Sequence, residues 1–330
     1  MNVNLNIVIR VIPVSCLIVI ALGPIVIPFL KKLKIGQSIR EEGPQSHIST
    51  KSGTPTMGGL LIILGTIIAT FTSGNFSKEV MVCIISMLAF GLVGFIDDYI
   101  KVVLKRNLGL KANQKMLGQL IFAILLAMYG AKNSVSGTKL IIPFTDFALD
   151  LGIFYIPFAV FAIVGIVNGV NLTDGLDGLN SGVTLIVMSA FALIANNFIK
   201  VDSSYTGIVI VSAATAGACL GFLRYNAHPA KIFMGDTGSL ALGGMLAAVA
   251  VCTSSIFVLP IIGGIYIAEI LSVIIQVSYY KRTKKRIFKM APIHHHFEMC
   301  GWKETKIVAV FWLTSVFLAL IGISSVIMFR

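Results

Sequence analysis

The chain has 330 residues, 56% of them hydrophobic and only 12% charged, with a formal net charge of +12 and a mean hydropathy of +0.92. A soluble domain carries about twice that charged fraction, so too little polar chain is present to coat a soluble fold. The five cysteines show no paired spacing, which excludes a disulfide framework or a cysteine zinc site.

Ten apolar runs follow in chain order, at about 7–30, 57–74, 79–96, 115–131, 151–169, 178–196, 205–223, 238–256, 257–280 and 307–329. Each is close to the roughly 17–25 residues that cross a hydrocarbon core. The expectation is an all-α polytopic membrane protein with ten transmembrane helices, forming one integral-membrane domain over 1–330. The first run is too long for a cleaved signal and has no small-residue cleavage site before its lysines. Ten spans put both termini on one side. The first, third, seventh and ninth connections hold 20 of the 26 Lys and Arg residues, and an excess of that kind marks cytoplasmic loops. Both termini are therefore expected outside the cytoplasm. The basic face suits an anionic leaflet or an anionic substrate, with no need of nucleic acid.

The cytoplasmic connections hold the chemistry. "KSGTPTMGG" (51–59) brings Lys51, threonines and glycines to the second span. "GFIDDYIK" ends the third with Asp97 and Asp98, and "NQKMLGQ" opens the fourth with Lys115. "NLTDGLDGLNSG" (171–182) carries Asp174 and Asp177 with no Lys or Arg beside them. "RYNAHPAKIFMGDTGS" (224–239) holds Asn226, Phe233 and Asp236, and "MAPIHHHFEMCGWKE" (290–304) holds His294, His295 and His296. Helix N-capping is the bland alternative for Asp177 and Asp236, each just ahead of an apolar helix. It does not explain an acidic pair at the C-terminal end of a helix, where the dipole disfavours negative charge.

Carboxylates without thiols suit a hard cation, and Mg²⁺ held by one or two carboxylates plus substrate phosphates is the common arrangement. Glycines at a helix start let backbone N–H groups approach a phosphate. An amide with an aromatic, as in Asn226 and Phe233, is what a nucleobase requires. Three consecutive histidines cannot all face one metal on a regular helix, whereas imidazoles that donate to phosphate oxygens need no such geometry. Glu269, beside Gly263-Gly264, is the one acid placed as a transporter's midplane acid would be; the others cluster at the surface, and the halves show no repeat.

"GTPTMGG", "DDYIK", "NLTDGLDGL", "NAHPAKIFMGDTGSL" and "APIHHHFE" together resemble, in order, the phospho-N-acetylmuramoyl-pentapeptide transferases of bacterial cell-wall synthesis, within the polyprenyl-phosphate N-acetylhexosamine-1-phosphate transferases. The triple-histidine segment separates this branch from relatives that use UDP-N-acetylglucosamine. The resemblance implies transfer of phospho-N-acetylmuramoyl-pentapeptide from its UDP-linked form to undecaprenyl phosphate, giving lipid I and UMP, with Mg²⁺, in the plasma membrane and as a homodimer. It implies catalytic roles for Asp97, Asp98, Asp236, His294 and His295. Asp236 would be the Mg²⁺ ligand, and Asp97 the base toward the lipid phosphate. Lys51 and Lys115 would hold phosphates, and Asn171, Asp174, Asp177, Asn226 and Phe233 would form the uridine side. Thr56, Gly175, Leu176, Gly235, Ser239, Gln276 and His296 complete the implied substrate contacts.

Overall fold

The computed structural model describes residues 2–32, 53–102 and 109–327. They form helices α1 (Asn2–Lys32), α2 (Gly59–Thr72), α3 (Lys78–Val102), α4 (Ala112–Asn133), α5 (Tyr155–Thr173), α6 (Leu179–Phe198), α7 (Tyr205–Asn226), α8 (Gly235–Cys252), α9 (Leu259–Ile262), α10 (Gly264–Thr283), α11 (Ile293–Met299) and α12 (Glu304–Ile327). All ten apolar runs are helical. Eight helices are long and apolar enough to cross a membrane. The other two runs fall short for visible reasons. Helix α2 has 14 residues, and the ninth run breaks at Gly263 into α9 and α10, with Glu269, Gln276 and a basic last turn in α10. The all-helical expectation also gains one exception. Strands β1 (Lys139–Ile141) and β2 (Ala148–Asp150) pair antiparallel in the connection between α4 and α5.

The helices are layered around α8. In its apolar window 89% of residues are buried, against 28% in α1 and in α4. A membrane gives apolar side chains little reason to leave lipid for one another, so close packing through small residues must hold the bundle. Helices α3 and α8 meet in that way. A Cβ on Gly94 would overlap the backbone carbonyl of Asp236, and one on Gly244 would lie 2.8 Å from the carbonyl oxygen of Ser86. On α7, Cβ atoms at Gly217 and Gly221 would strike the α1 backbone at Ile12 and Cys16.

One end of the bundle collects the motif loops. The ends of α3, α5 and α7 lie there with the starts of α4, α6 and α8. Phe233 N–H donates to Pro55 O at 2.8 Å, and Gly58 and Gly59 N–H donate to Phe233 O and Met234 O at 2.9 Å each. These bonds sew "GTPTMGG" to "FMGDTGS". At the far end Ile141 N–H donates to Ser254 O, and Phe144 N–H to Ser325 O, so the hairpin ties down the opposite ends of α8 and α12.

Gly94→Val would force α3 and α8 apart where their backbones touch. Overpacking of this kind typically costs about 1–3 kcal/mol. The expected outcome is a lower melting temperature in detergent and loss of activity, with α-helical circular dichroism retained at low temperature.

Candidate active site

Asp97 and Asp98 end α3 about 100° apart on the helix, and the structure gives them different work. Asp98 is buried and faces the start of α8. Its Oδ1 accepts from Asp236 N–H at 3.2 Å, and its Oδ2 accepts from Thr237 N–H at 2.8 Å and Thr237 Oγ1–H at 2.7 Å. The carboxylate that sits at the unfavourable end of α3 therefore sits at the favourable end of α8, satisfying amides that a helix start leaves open. This corrects the capping reading of Asp236: the cap of α8 comes from another helix, and Asp236 is left for other partners. Gly235 makes the approach possible. It has φ +73°, and a Cβ there would lie 2.6 Å from Asp98 Oδ2 and 2.7 Å from Thr56 Oγ1. Thr56, buried at the sewn segment, thus borders the same carboxylate.

Asp97 is buried too. Its Oδ1 accepts from Leu110 N–H at 2.8 Å, and its Oδ2 is ion-paired with Lys101 one turn later on α3. Lys101 Nζ also reaches Asp236 Oδ2 at 2.7 Å, where Lys115 Nζ meets it at 3.0 Å. Asn171 Nδ2 donates to Asp236 Oδ1 and to Ser239 Oγ at 2.8 Å each, while its Oδ1 accepts from Lys115 at 3.2 Å. One turn deeper, Asn168 Nδ2 donates to Gln119 Oε1 at 2.7 Å, which holds α4 against α5 beneath Lys115. Oxygens of Asp97, Asp98 and Asp236 lie within 4.8 Å of one another. An all-oxygen donor set converging from two helices fits a hard divalent cation.

The 174–178 turn joins this centre to two others. Buried Asp177 accepts from Ala230 N–H at 3.0 Å, has His228 Nδ1 at 3.2 Å, and donates its own N–H to Glu304 Oε1 at 2.6 Å. Asn226 is buried, with its Oδ1 accepting from Gly178 N–H and Ser181 Oγ and its Nδ2 donating to Ile232 O. It staples the loop that carries Phe233, whose side chain is half-buried. Leu176 packs in the core. Asp174, between α5 and α6, has its carboxyl pushed up from 3.8 to about 8, first by burial and then by the charges of Asp236, Asp98 and Asp177.

The histidines lie on α11, and each has its own partner. His294 is fully buried with Nδ1 3.0 Å from Glu269 Oε1, and its ring lies against Gly175, where a Cβ would overlap Nε2. His295 Nδ1 is 2.6 Å from Glu298 Oε2. His296 Nδ1 accepts from Lys289 N–H at 3.2 Å. Gln276 closes the basic loop, with Oε1 accepting from Ile287 and Phe288 N–H and Nε2 donating to Phe288 O.

The structure thus brings Asp97, Asp98, Asp236, Lys115, Asn171, Ser239, Gly235 and Thr56 together, and sets His294 against Gly175 beside Asp174. Asp177 and Asn226 tie the 174–181 segment to the 226–232 segment and to Glu304, and Gln276, His295 and His296 are bonded within residues 276–299. Lys51 lies outside the described residues. Sequence reading gave no role to Lys101, although its i, i+4 spacing from Asp97 was visible. It also gave none to Thr237, and left Glu269 only as a transporter's acid.

Asp174 has a consequence for stability. With its folded value raised to about 8 from 3.8, the native state holds a proton that the unfolded chain has released. Stability therefore falls as pH rises from about 4 to about 8. Without divalent cations, the melting temperature of the wild type is expected to fall between about pH 5 and about pH 8, and Asp174→Asn to flatten that slope.

The model of glycosyl transferase family 4 matches residues 80–254, and the phospho-N-acetylmuramoyl-pentapeptide-transferase signature 1 matches residues 51–63. The chain is 54% identical over 313 residues to the phospho-N-acetylmuramoyl-pentapeptide-transferase of Clostridioides difficile, covering 95% of this chain and 96% of the relative. It is 55% identical over 316 residues to that of Alkaliphilus oremlandii, covering 92% and 93%. To that of Halalkalibacterium halodurans it is 49% identical over 313 residues, covering 94% of each. With half its sequence shared across nearly its whole length, the chain belongs to the phospho-N-acetylmuramoyl-pentapeptide transferase family of bacterial membrane enzymes.

Proposed function

We propose that the Asp97–Asp98–Asp236 centre is where this transferase moves phospho-N-acetylmuramoyl-pentapeptide from UDP to undecaprenyl phosphate, releasing UMP and leaving lipid I. The observation that carries this reading is the convergence of three carboxylates and two lysine ammonium groups at one end of the bundle. In net terms, an oxygen of the lipid phosphate bonds to the sugar-bearing phosphorus, and the bond from that phosphorus to the oxygen retained by UMP breaks. A phosphate monoester has a second pKa near 6, so the acceptor needs little deprotonation at neutral pH. Positioning and charge neutralisation carry most of such a transfer.

The residues divide these tasks. Asp236, with Asp97 within reach, would hold Mg²⁺, which would supply neutralisation of phosphate charge. Lys101 and Lys115, paired with Asp236 in the free enzyme, are freed toward phosphate oxygens when that carboxylate takes another cation. Asp97 receives any remaining proton of the lipid phosphate. Asp98 keeps α8 in place and tunes the charge. The turn at Asn171–Asp177, with Asn226 and Phe233, forms the uridine side, and His294 to His296 form the sugar side. Ten spans, two of them built by the short α2 and the broken α9–α10 pair, put this end of the bundle in the cytoplasm with both termini outside. The concentration of 20 of the 26 Lys and Arg residues in four connections of the sequence supports the orientation.

Asp236→Asn keeps an oxygen ligand and loses the charge that holds a hard cation. UMP release from both substrates is expected to fall to background, with the wild-type melting temperature nearly kept. Near-normal turnover at low Mg²⁺ would remove Asp236 from this role. Orientation is checked by labelling single cysteines placed at exposed Lys285 or in the β1–β2 connection, the first expected inside and the second outside. A membrane-impermeant reagent outside intact cells should label only the second.

A further inference from the structure

The mechanism above leaves one buried carboxylate unused. Glu269 lies in α10, fully buried, and both of its oxygens point at the start of α11. Oε2 accepts from Ile293 N–H at 2.9 Å, and Oε1 lies 3.0 Å from His294 Nδ1. With Glu269 as a carboxylate, which only accepts, and His294 as a neutral imidazole, Nδ1 carries the proton and Nε2 a lone pair. That Nε2 is buried and has no hydrogen-bond partner among the described residues. It lies against Gly175, on the turn that holds Asp174. His296 is set the other way, because Lys289 N–H donates into its Nδ1 and leaves the proton on Nε2. The three adjacent histidines are therefore not three equivalent donors.

We propose that Glu269 is a positioning residue for the transfer reaction. It fixes the His294 tautomer, so that His294 meets the bound substrate through the Nε2 lone pair and accepts a hydrogen bond from a hydroxyl or amide N–H of the sugar–peptide. This corrects the expectation that His294 donates to a phosphate oxygen, and it rests on the active-site reading above. A buried acceptor without a partner is destabilising, so a substrate donor that satisfies it gains on binding. Gly175 covers Nε2 with no side chain, and contact with substrate requires this turn to shift on binding.

The first test is ¹⁵N NMR of histidine-labelled full-length enzyme in detergent. His294 is expected to show a protonated Nδ1 and an unprotonated Nε2. Adding UDP-N-acetylmuramoyl-pentapeptide without lipid acceptor should move the Nε2 resonance, whereas UMP should not. This readout needs no turnover, so a failure of the tautomer assignment is separable from a failure of the proposed reaction. In Glu269→Gln the tautomer population should shift, and KM for UDP-N-acetylmuramoyl-pentapeptide should rise about 10-fold with kcat changed less. The same substitution in a His294→Ala background should cost nothing further, since residues acting as one unit are non-additive. Glu269→Asp, which keeps a carboxylate, should restore the tautomer and bring KM part of the way back, and it serves if the Gln variant fails to fold. A His294 with its proton on Nε2, or a full loss from Glu269→Gln in the His294→Ala background, would overturn the proposal.

Discussion

Everything at the candidate site depends on how closely α3 can approach α8. The two backbones touch at Gly94 and Gly244, and no larger residue could stand at either place without pushing the helices apart. The contact delivers Asp98 to the amides of Asp236 and Thr237, bonds of the charge-assisted kind that contribute roughly 1.5–3 kcal/mol each. With the cap of α8 supplied by α3, the Asp236 side chain is released to meet Lys101, Lys115 and Asn171. A packing constraint in the apolar part of the bundle thereby sets the geometry of its most polar part.

The same constraint explains which features could be read from sequence. Apolar runs of spanning length announce helices wherever they occur, and all ten became helices. The break at Gly263 had a signal in the Gly263-Gly264 pair beside Glu269, although the apolar run continues across it and reads as one span. Helix α2 was legible as apolar but too short to be distinguished from a full span. The β1–β2 pair involves three residues on each side, too few to leave an alternating signal.

The site was legible as a set of residues and illegible as a set of contacts. Asp97, Asp98 and Asp236 stood out because isolated acids beside apolar sequence are expensive without a partner. Their partners were harder to find. Lys101 looked like one more basic residue at a membrane surface, although its place one turn after Asp97 was a signal. The capping of one helix by a carboxylate 138 positions away has no local pattern at all. Glu269 was noticed for its depth and misread in its purpose. A buried acid in an apolar helix also fits a partner arriving from a later loop, and here that partner is α11.

The ion pairs around Asp236 have a consequence for the order of events. Three carboxylates and two ammonium groups share the centre, so its formal charge without other ions is about one negative unit, a modest load for a poorly solvated place. Among the described residues, a divalent cation bound there would reverse that sign, so a phosphate would meet less repulsion at the occupied centre than at the centre without it.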